Sequence, residues 1–257
     1  MQQKQRAELL ASLHVKGHPL ALYNAWDAGS AKAIQDGGSP VIATSSWAVA
    51  AAQGYGDGES IPFAFVEQVI ARIAGAVDIP VTADVEGGYS EDPNVCAANV
   101  ARLMDHGIVG INFEDRIVHG TGLHTIDAQC TRIAAIRAMA DARGVPLFIN
   151  ARTDLFLGTG IKPPDGIAEA KERAAAYARA GASGFFAPGL VDLSAIRELC
   201  STVELPLNVM VMPELPHARE LAKAGVARIS YGPAAYSLAM GAIRDAARNI
   251  REERQAA

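Results

Sequence analysis

Cysteine is scarce and unpaired in this chain. Cys96, Cys130 and Cys200 are scattered, their number is odd, and no C-x-x-C occurs. This argues against a disulfide framework and against a zinc–thiolate site, and reads as three small reduced side chains in a cytosolic protein. No long run of Lys or Arg appears, and 23 basic residues face 28 acidic ones, a formal net charge of -5. Nucleic acid and anionic membrane surfaces are therefore not the expected partners. The apolar runs break within about ten residues, too short to span a bilayer. The first stretch, "MQQKQRAELLASLH", is polar and helical in pattern rather than a signal peptide. Together these absences predict a cytoplasmic protein without nucleic-acid or membrane partners. The dinucleotide fingerprint G-x-G-x-x-G is also missing after the first strand pattern.

What is present is a strand–helix alternation along nearly the whole length. Hydrophobic residues make up 50% of 257, enough for one sizeable core. The predicted strands are "LALYNA" (20–25), "VIATSS" (41–46), "VTADVE" (81–86), "GINFED" (110–115), "LFINAR" (147–152), "GFFAPG" (184–189), "LNVMVM" (207–212) and "ARISYG" (227–232). Helical patterns such as "FVEQVIARIAGAV", "NVCAANVARLMDHG" and "IAEAKERAAAYARAG" separate them. A helix between successive strands returns the chain to start the next one in parallel. Eight such units in this length predict a closed (β/α)8 TIM-type barrel in a single domain, 1–257. An open doubly wound sheet is the alternative, disfavoured by the missing fingerprint.

In such a barrel the chemistry lies at the carboxyl ends of the strands. Three neighbouring strand ends carry polar residues spaced by two: Thr82, Asp84 and Glu86; Asn112 and Glu114; Asn150, Arg152 and Asp154. Residues at i and i+2 share a strand face roughly 6–7 Å apart. Asp84, Glu86 and Glu114 thus crowd about three negative charges around one cation, Arg152. An all-oxygen cluster of this kind points to a hard cation, Mg2+ with Mn2+ as the alternative, or else to a carboxylate network tied to backbone amides and Arg152. Gly87 and Gly88 are expected to let the chain turn tightly at the barrel mouth. Two glycine-bearing loops read as lids: 48–60 with Asp57, and 116–126 with His119 and His124.

As a set, "ATSSW", "GYGDGE", "TADVEGGY", "GINFED" and "INARTD", in this order, resemble the isocitrate lyase/phosphoenolpyruvate mutase superfamily over about residues 20–232. The resemblance implies a barrel whose last helix is exchanged with a neighbouring subunit, in homodimers or homotetramers. It implies one Mg2+ held by Asp84, with Asp57, Glu86 and Glu114 acting largely through bound waters, and a 2-oxo or 2-hydroxy carboxylate chelating it. Ser45, Ser46 and Trp47 match the segment that holds the substrate carboxylate, Arg152 the arginine on the substrate oxygens, and Asn208 a position that binds the far end of the substrate in some lyases.

The departures concern the second lid. The Lys-x-Cys-Gly-His signature of the classical lyases is replaced by "HGTGLH", and the Lys and Asn of the mutase and hydrolase branches are absent. The matching core with an altered lid leads to the expectation of an Mg2+-dependent lyase that cleaves a carbon–carbon bond in, or decarboxylates, a small 2-oxo or 2-hydroxy carboxylic acid through an enolate, and the lid itself offers His119 or His124 as proton donor. The alternatives are P–C bond chemistry of the phosphoenolpyruvate mutase or phosphonopyruvate hydrolase type, with Asp57 assisting at phosphorus, and a non-catalytic protein that binds a 2-oxo acid.

Overall fold

In the computed structural model, which describes residues 1–256, all strands run parallel and alternate with helices. Helix α1 spans Gln3–Ser12 and is followed by β1 (Leu20–Leu22) and β2 (Asn24–Ala25). Then come α2 (Ala28–Asp36), β3 (Ile42–Thr44), α3 (Ser46–Ala52), α4 (Phe63–Gly75), β4 (Val81–Asp84), α5 (Pro93–Asp105) and β5 (Gly110–Glu114). The second half holds α6 (Ile126–Ala142), β6 (Phe148–Arg152), a 3-10 turn at Asp154–Phe156, α7 (Ile167–Arg179) and β7 (Gly184–Phe186). It continues through α8 (Leu193–Thr202), β8 (Leu207–Met210), α9 (Ala218–Ala224), β9 (Arg228–Ser230) and α10 (Ala234–Ala256).

The sheet order is β1-β9-β8-β7-β6-β5-β4-β3-β2. Only Tyr23 separates β1 from β2, so the two ends of that order are halves of one stave. Leu20–Leu22 pairs with β9 and Asn24–Ala25 with β3, which closes the expected eight-stave barrel. Local chemistry sets the helix starts. Asp92 accepts from the amides of Asn94 and Val95 ahead of Pro93, and Asp27 and Asp192 accept from Ser30 and Ala195. Helix α4 buries Val66, Val69, Ile70 and Ile73, the three-and-four spacing of a helix lying on a sheet.

Two boundaries beside the strand ends differ from the sequence pattern. The strand expected to reach Glu86 stops at Asp84, because Glu86 has φ 50 and leaves the extended conformation. The loop expected over 48–60 begins later, because Ser45 accepts from the amide of Ala48 and caps the alanine-rich α3. The amino end of the barrel is plugged by α1, whose Leu10 is fully buried against Gly110; a Cβ there would lie 2.6 Å from Leu10 Cδ2.

One face of β1 is uncovered. Ala21, at the centre of β1, is exposed, and with Tyr23, Ile34 and Tyr231 it lines a groove. Along α10, Ile243 and Ile250 stand two turns apart and are each 61% exposed. Among the described residues no helix is long and apolar enough to cross a membrane.

Candidate active site at the carboxyl ends of the strands

A cavity of about 170 Å3 opens where β3 to β9 end, with Ser46, Asp57, Asp84, Asn112 and Arg152 on one side. Asp84 is the last residue of β4. Its Oδ2 accepts from the Ser46 hydroxyl at 2.8 Å and from the Ser46 amide at 3.3 Å, and its own amide donates to Thr44 Oγ1. Its Oδ1 is buried and has no partner in the chain. A buried carboxylate oxygen without a partner costs free energy unless something binds it.

The acids around Asp84 outnumber the cations. Burial, then the charges of Asp84 and Asp57, push Glu86 up to about 8. Asp57 is raised by burial and by Asp84, with Arg152 opposing. Glu114 is held well above the usual carboxylate range by burial, against the pull of Arg152. Burial alone would weaken the positive form of Arg152, but Glu114 and Asp154 outweigh it and keep the guanidinium charged. Its Nη1 lies 3.0 Å from Glu114, while Nε and Nη2 donate to Asp154 at 2.6 and 2.8 Å. Asp154, expected to point inward with Arg152, instead sits in the 3-10 turn and orients that arginine.

Among the described residues no group of three or more His, Cys, Asp or Glu side chains converges closely enough to hold a metal by itself. The unpartnered Asp84 oxygen, the hard oxygen donors and the acids driven toward protonation nonetheless fit a small divalent cation that keeps most of its waters. The set does not fit a site in which four carboxylates ligate directly.

Below the cavity lies a polar floor. Arg228 is fully buried, donates from Nε to Ser230 Oγ at 3.1 Å and from Nη2 to Asn112 Oδ1 at 3.3 Å, and leaves Nη1 without a partner. Asn150 also donates to Asn112 Oδ1, and Asn208 to Ser230 Oγ. Asn208, expected at the far end of a substrate, is fully buried behind Ser230; the residue of its strand that faces the cavity is Met210. Ser45 is buried as the cap of α3. Trp47 is 41% exposed, borders the cavity and meets Tyr236 of α10 edge-on.

The two lids meet on the turn after β4. The Glu59 amide donates to Glu86 Oε2, and Glu59 Oε1 accepts from the amide of Tyr89 at 2.7 Å. The non-glycine residues with positive φ, Glu59, Glu86 and Tyr89, all belong to this junction. Such backbone costs about 1 kcal/mol or more each and gathers at functional sites. A Cβ on Gly87 would lie 2.8 Å from Val118 of the second lid, and one on Gly88 2.9 Å from Phe113. The glycines therefore admit lid and core side chains. His119, on the exposed tip of the second lid, stands 3.5 Å from Glu59, and buried His124 stands 3.2 Å from Glu91. Neither histidine borders the cavity. Arg228, Ser230 and Glu59 escaped the sequence reading. The spacing of two that singles out Asp84 and Glu114 also relates Arg228 to Ser230, whereas nothing local marks Glu59.

The family profile for phosphoenolpyruvate phosphomutase matches residues 10–251. A crystal structure of a Burkholderia cenocepacia protein, provisionally assigned as a phosphonomutase, superposes with a TM-score of 0.93 at 43% identity, over 96% of this chain and 99% of that one. A Mycobacterium tuberculosis protein of uncharacterized activity is 33% identical over 245 residues, 95% of this chain and 89% of its own. The oxaloacetate decarboxylase of Pseudomonas fluorescens is 31% identical over 200 residues, 74% of this chain and 64% of the enzyme.

Proposed function

Because the chain belongs to the phosphoenolpyruvate phosphomutase family, we propose that it is an Mg2+-dependent carbon–carbon lyase of a small 2-oxo or 2-hydroxy carboxylic acid. The observation that carries this reading is the buried, unpartnered Oδ1 of Asp84 among acids that lack a matching cation. Asp84 would hold the ion, Mg2+ or in its place Mn2+, with Asp57, Glu86 and Glu114 reaching it through water. When bound, the ion supplies Lewis-acid polarisation of the substrate's 2-oxygen.

The chain's own groups do the rest. The Ser46 amide and hydroxyl, which here donate to Asp84 Oδ2, would turn to orient the substrate carboxylate, with the Ser45-capped start of α3 behind them. Arg152, fixed by Asp154, presents positive charge where an enolate oxygen develops, and that geometry is in place before reaction. Closure of the lids, which meet here through Glu59, would keep water from the enolate carbon. A proton from His119 or His124 requires the second lid to move inward from its present position. The relative provisionally assigned as a phosphonomutase favours one second reading, P–C chemistry on a phosphonate, in which Asp57 faces the phosphorus.

The test pairs binding with turnover. Calorimetric titration of Mg2+ is expected to show one site in the natural protein and none in Asp84→Ala, with the circular dichroism of the two unchanged. A panel of 2-oxo and 2-hydroxy acids is expected to release pyruvate, glyoxylate or CO2 only with the metal. Phosphate or a new ³¹P signal from phosphonopyruvate would favour the second reading. Binding of 2-oxo acids with no turnover across the panel would leave a binding protein.

The assembly proposed is a homodimer or homotetramer in which α10 of one copy covers the β1 groove of another. The exposed apolar residues on α10 and the uncovered Ala21 on β1 are complementary in kind.

A further inference from the structure

The cavity is two-sided. Polar groups gather on the side built by β3 to β6, from Ser46 to Arg152. The opposite wall, built by the 3-10 turn region and by β7, β8 and the segment after β9, presents Leu157, Phe186, Met210 and Pro233. Among the residues lining the cavity the one cation is Arg152, and three of its nitrogens already face Glu114 and Asp154. Arg228 lies beneath Ser230 and Asn112, fully buried, and borders none of the space. Ser230 is the polar exception on the apolar side, and its oxygen is engaged by Asn208 and Arg228.

A second carboxylate at the far end of a substrate would therefore be desolvated against Phe186 and Met210 with no free counter-charge, because Arg152, 6.0 Å from the Phe186 ring centroid, is already paired with Glu114 and Asp154. An alkyl group there would gain from burial. The wall also continues outward. Leu157 borders both this cavity and a neighbouring cleft of about 620 Å3 that contains Phe156, Ile161, Val191, Met212 and Pro213. The charged residues bordering that cleft are Lys162, Asp192 and Glu214, a net negative set that does not favour an anionic tail.

We infer that the site takes a 2-oxo or 2-hydroxy monocarboxylate with an uncharged, apolar tail that passes Met210 and Leu157, in preference to a dicarboxylate. The inference rests on the reading above in which the carboxylate head binds at Ser46 and Asp84.

The experiment is calorimetry on the full chain with Mg2+ present, using oxalate, pyruvate, 2-oxobutanoate, 2-oxopentanoate, 2-oxohexanoate, oxaloacetate and 2-oxoglutarate. Each added methylene is expected to tighten binding about fourfold, the worth of one buried CH2. At equal chain length, 2-oxoglutarate is expected to bind at least about tenfold more weakly than 2-oxopentanoate, the effect of one uncompensated charge. Met210→Lys, which places a cation on the apolar wall, is expected to reverse that order. If 2-oxoglutarate or oxaloacetate binds as tightly as the alkyl acids of similar length, the tail inference is overturned and the head-group reading stands. If neither oxalate nor pyruvate binds, both fall together.

Discussion

At the end of the barrel opposite the cavity, His14 provides a stability switch that can be calculated. Its ring stacks on Phe148 with centroids 4.0 Å apart, and its Nδ1–H donates to the carbonyl of Leu10 at 2.8 Å. Nε2 is buried with no partner, so a second proton there would be an uncompensated charge. Burial, with the charge of Arg228 adding, lowers the pKa of His14 to about 3. In the unfolded chain it protonates near the ordinary value of about 6.5. Between these values the unfolded state binds the extra proton, so the contribution of His14 is complete above about pH 6.5 and is lost as pH falls toward 3. At pH 5 the unfolded state gains RT ln(1 + 10^1.5), about 2 kcal/mol, while folded His14 gains nothing. Buried acids with raised pKa values, Glu86 and Asp115 among them, act in the opposite sense, so the contribution must be isolated by difference. Urea denaturation of the natural protein and of His14→Gln at pH 7.5 and pH 5 does this. The natural protein is expected to lose about 2 kcal/mol more than the variant across that interval. Parallel pH profiles would refute the reasoning and mean that His14 is protonated in the folded state.

Three further outcomes follow from the packing. Gly189 has φ 85, and a Cβ there would lie 2.2 Å from the carbonyl oxygen of Phe156; Gly189→Ala is expected to cost about 3 kcal/mol or more in urea denaturation, and a loss below 1 kcal/mol would contradict the contact. Asp115 is fully buried and accepts from Tyr177 at 2.8 Å, Arg173 at 3.1 Å and the Asp154 amide at 3.0 Å. Asp115→Asn is expected to cost on the order of 3 kcal/mol, because Arg173 keeps only Glu169 as a carboxylate partner; an unchanged unfolding midpoint would contradict that. If α10 is exchanged between copies, the double substitution Ile243→Glu and Ile250→Glu is expected to convert an oligomer to a monomer in sedimentation velocity, whereas on an unpartnered helix it would change nothing.

The barrel was legible because its signal is periodic. Apolar strands such as "GINFE" must be buried on both faces, and the helices between them repeat their apolar residues at three and four. Asp84, Asn112 and Arg152 were legible for the same reason, since strand alternation fixes which face they share. The reading weakened where strands end. Glu86 and Asp154 keep the spacing of two in sequence but have left the extended conformation, so the spacing no longer dictates direction. Asn208 was assigned by resemblance alone, and only the three-dimensional arrangement shows Met210 in front of it. The Glu59 latch was not legible at all, because it joins residues 27 and 30 positions apart through backbone amides that carry no side-chain signature.

The floor and the apolar wall differ in how they can change over evolutionary time. Arg228 serves Ser230 and Asn112 together, Ser230 also serves Asn208, and Asn112 also serves Asn150. Replacing any one of these strands the buried partners of the others, so single steps there are strongly epistatic and the floor tends to be inherited whole. Met210 and Leu157 meet the cavity through side chains that make no hydrogen bonds, and Phe186 is tied only by the Arg152 guanidinium over its ring. A lineage descending from this barrel could exchange them one at a time and acquire new substrates while its means of stabilising an anion stayed fixed.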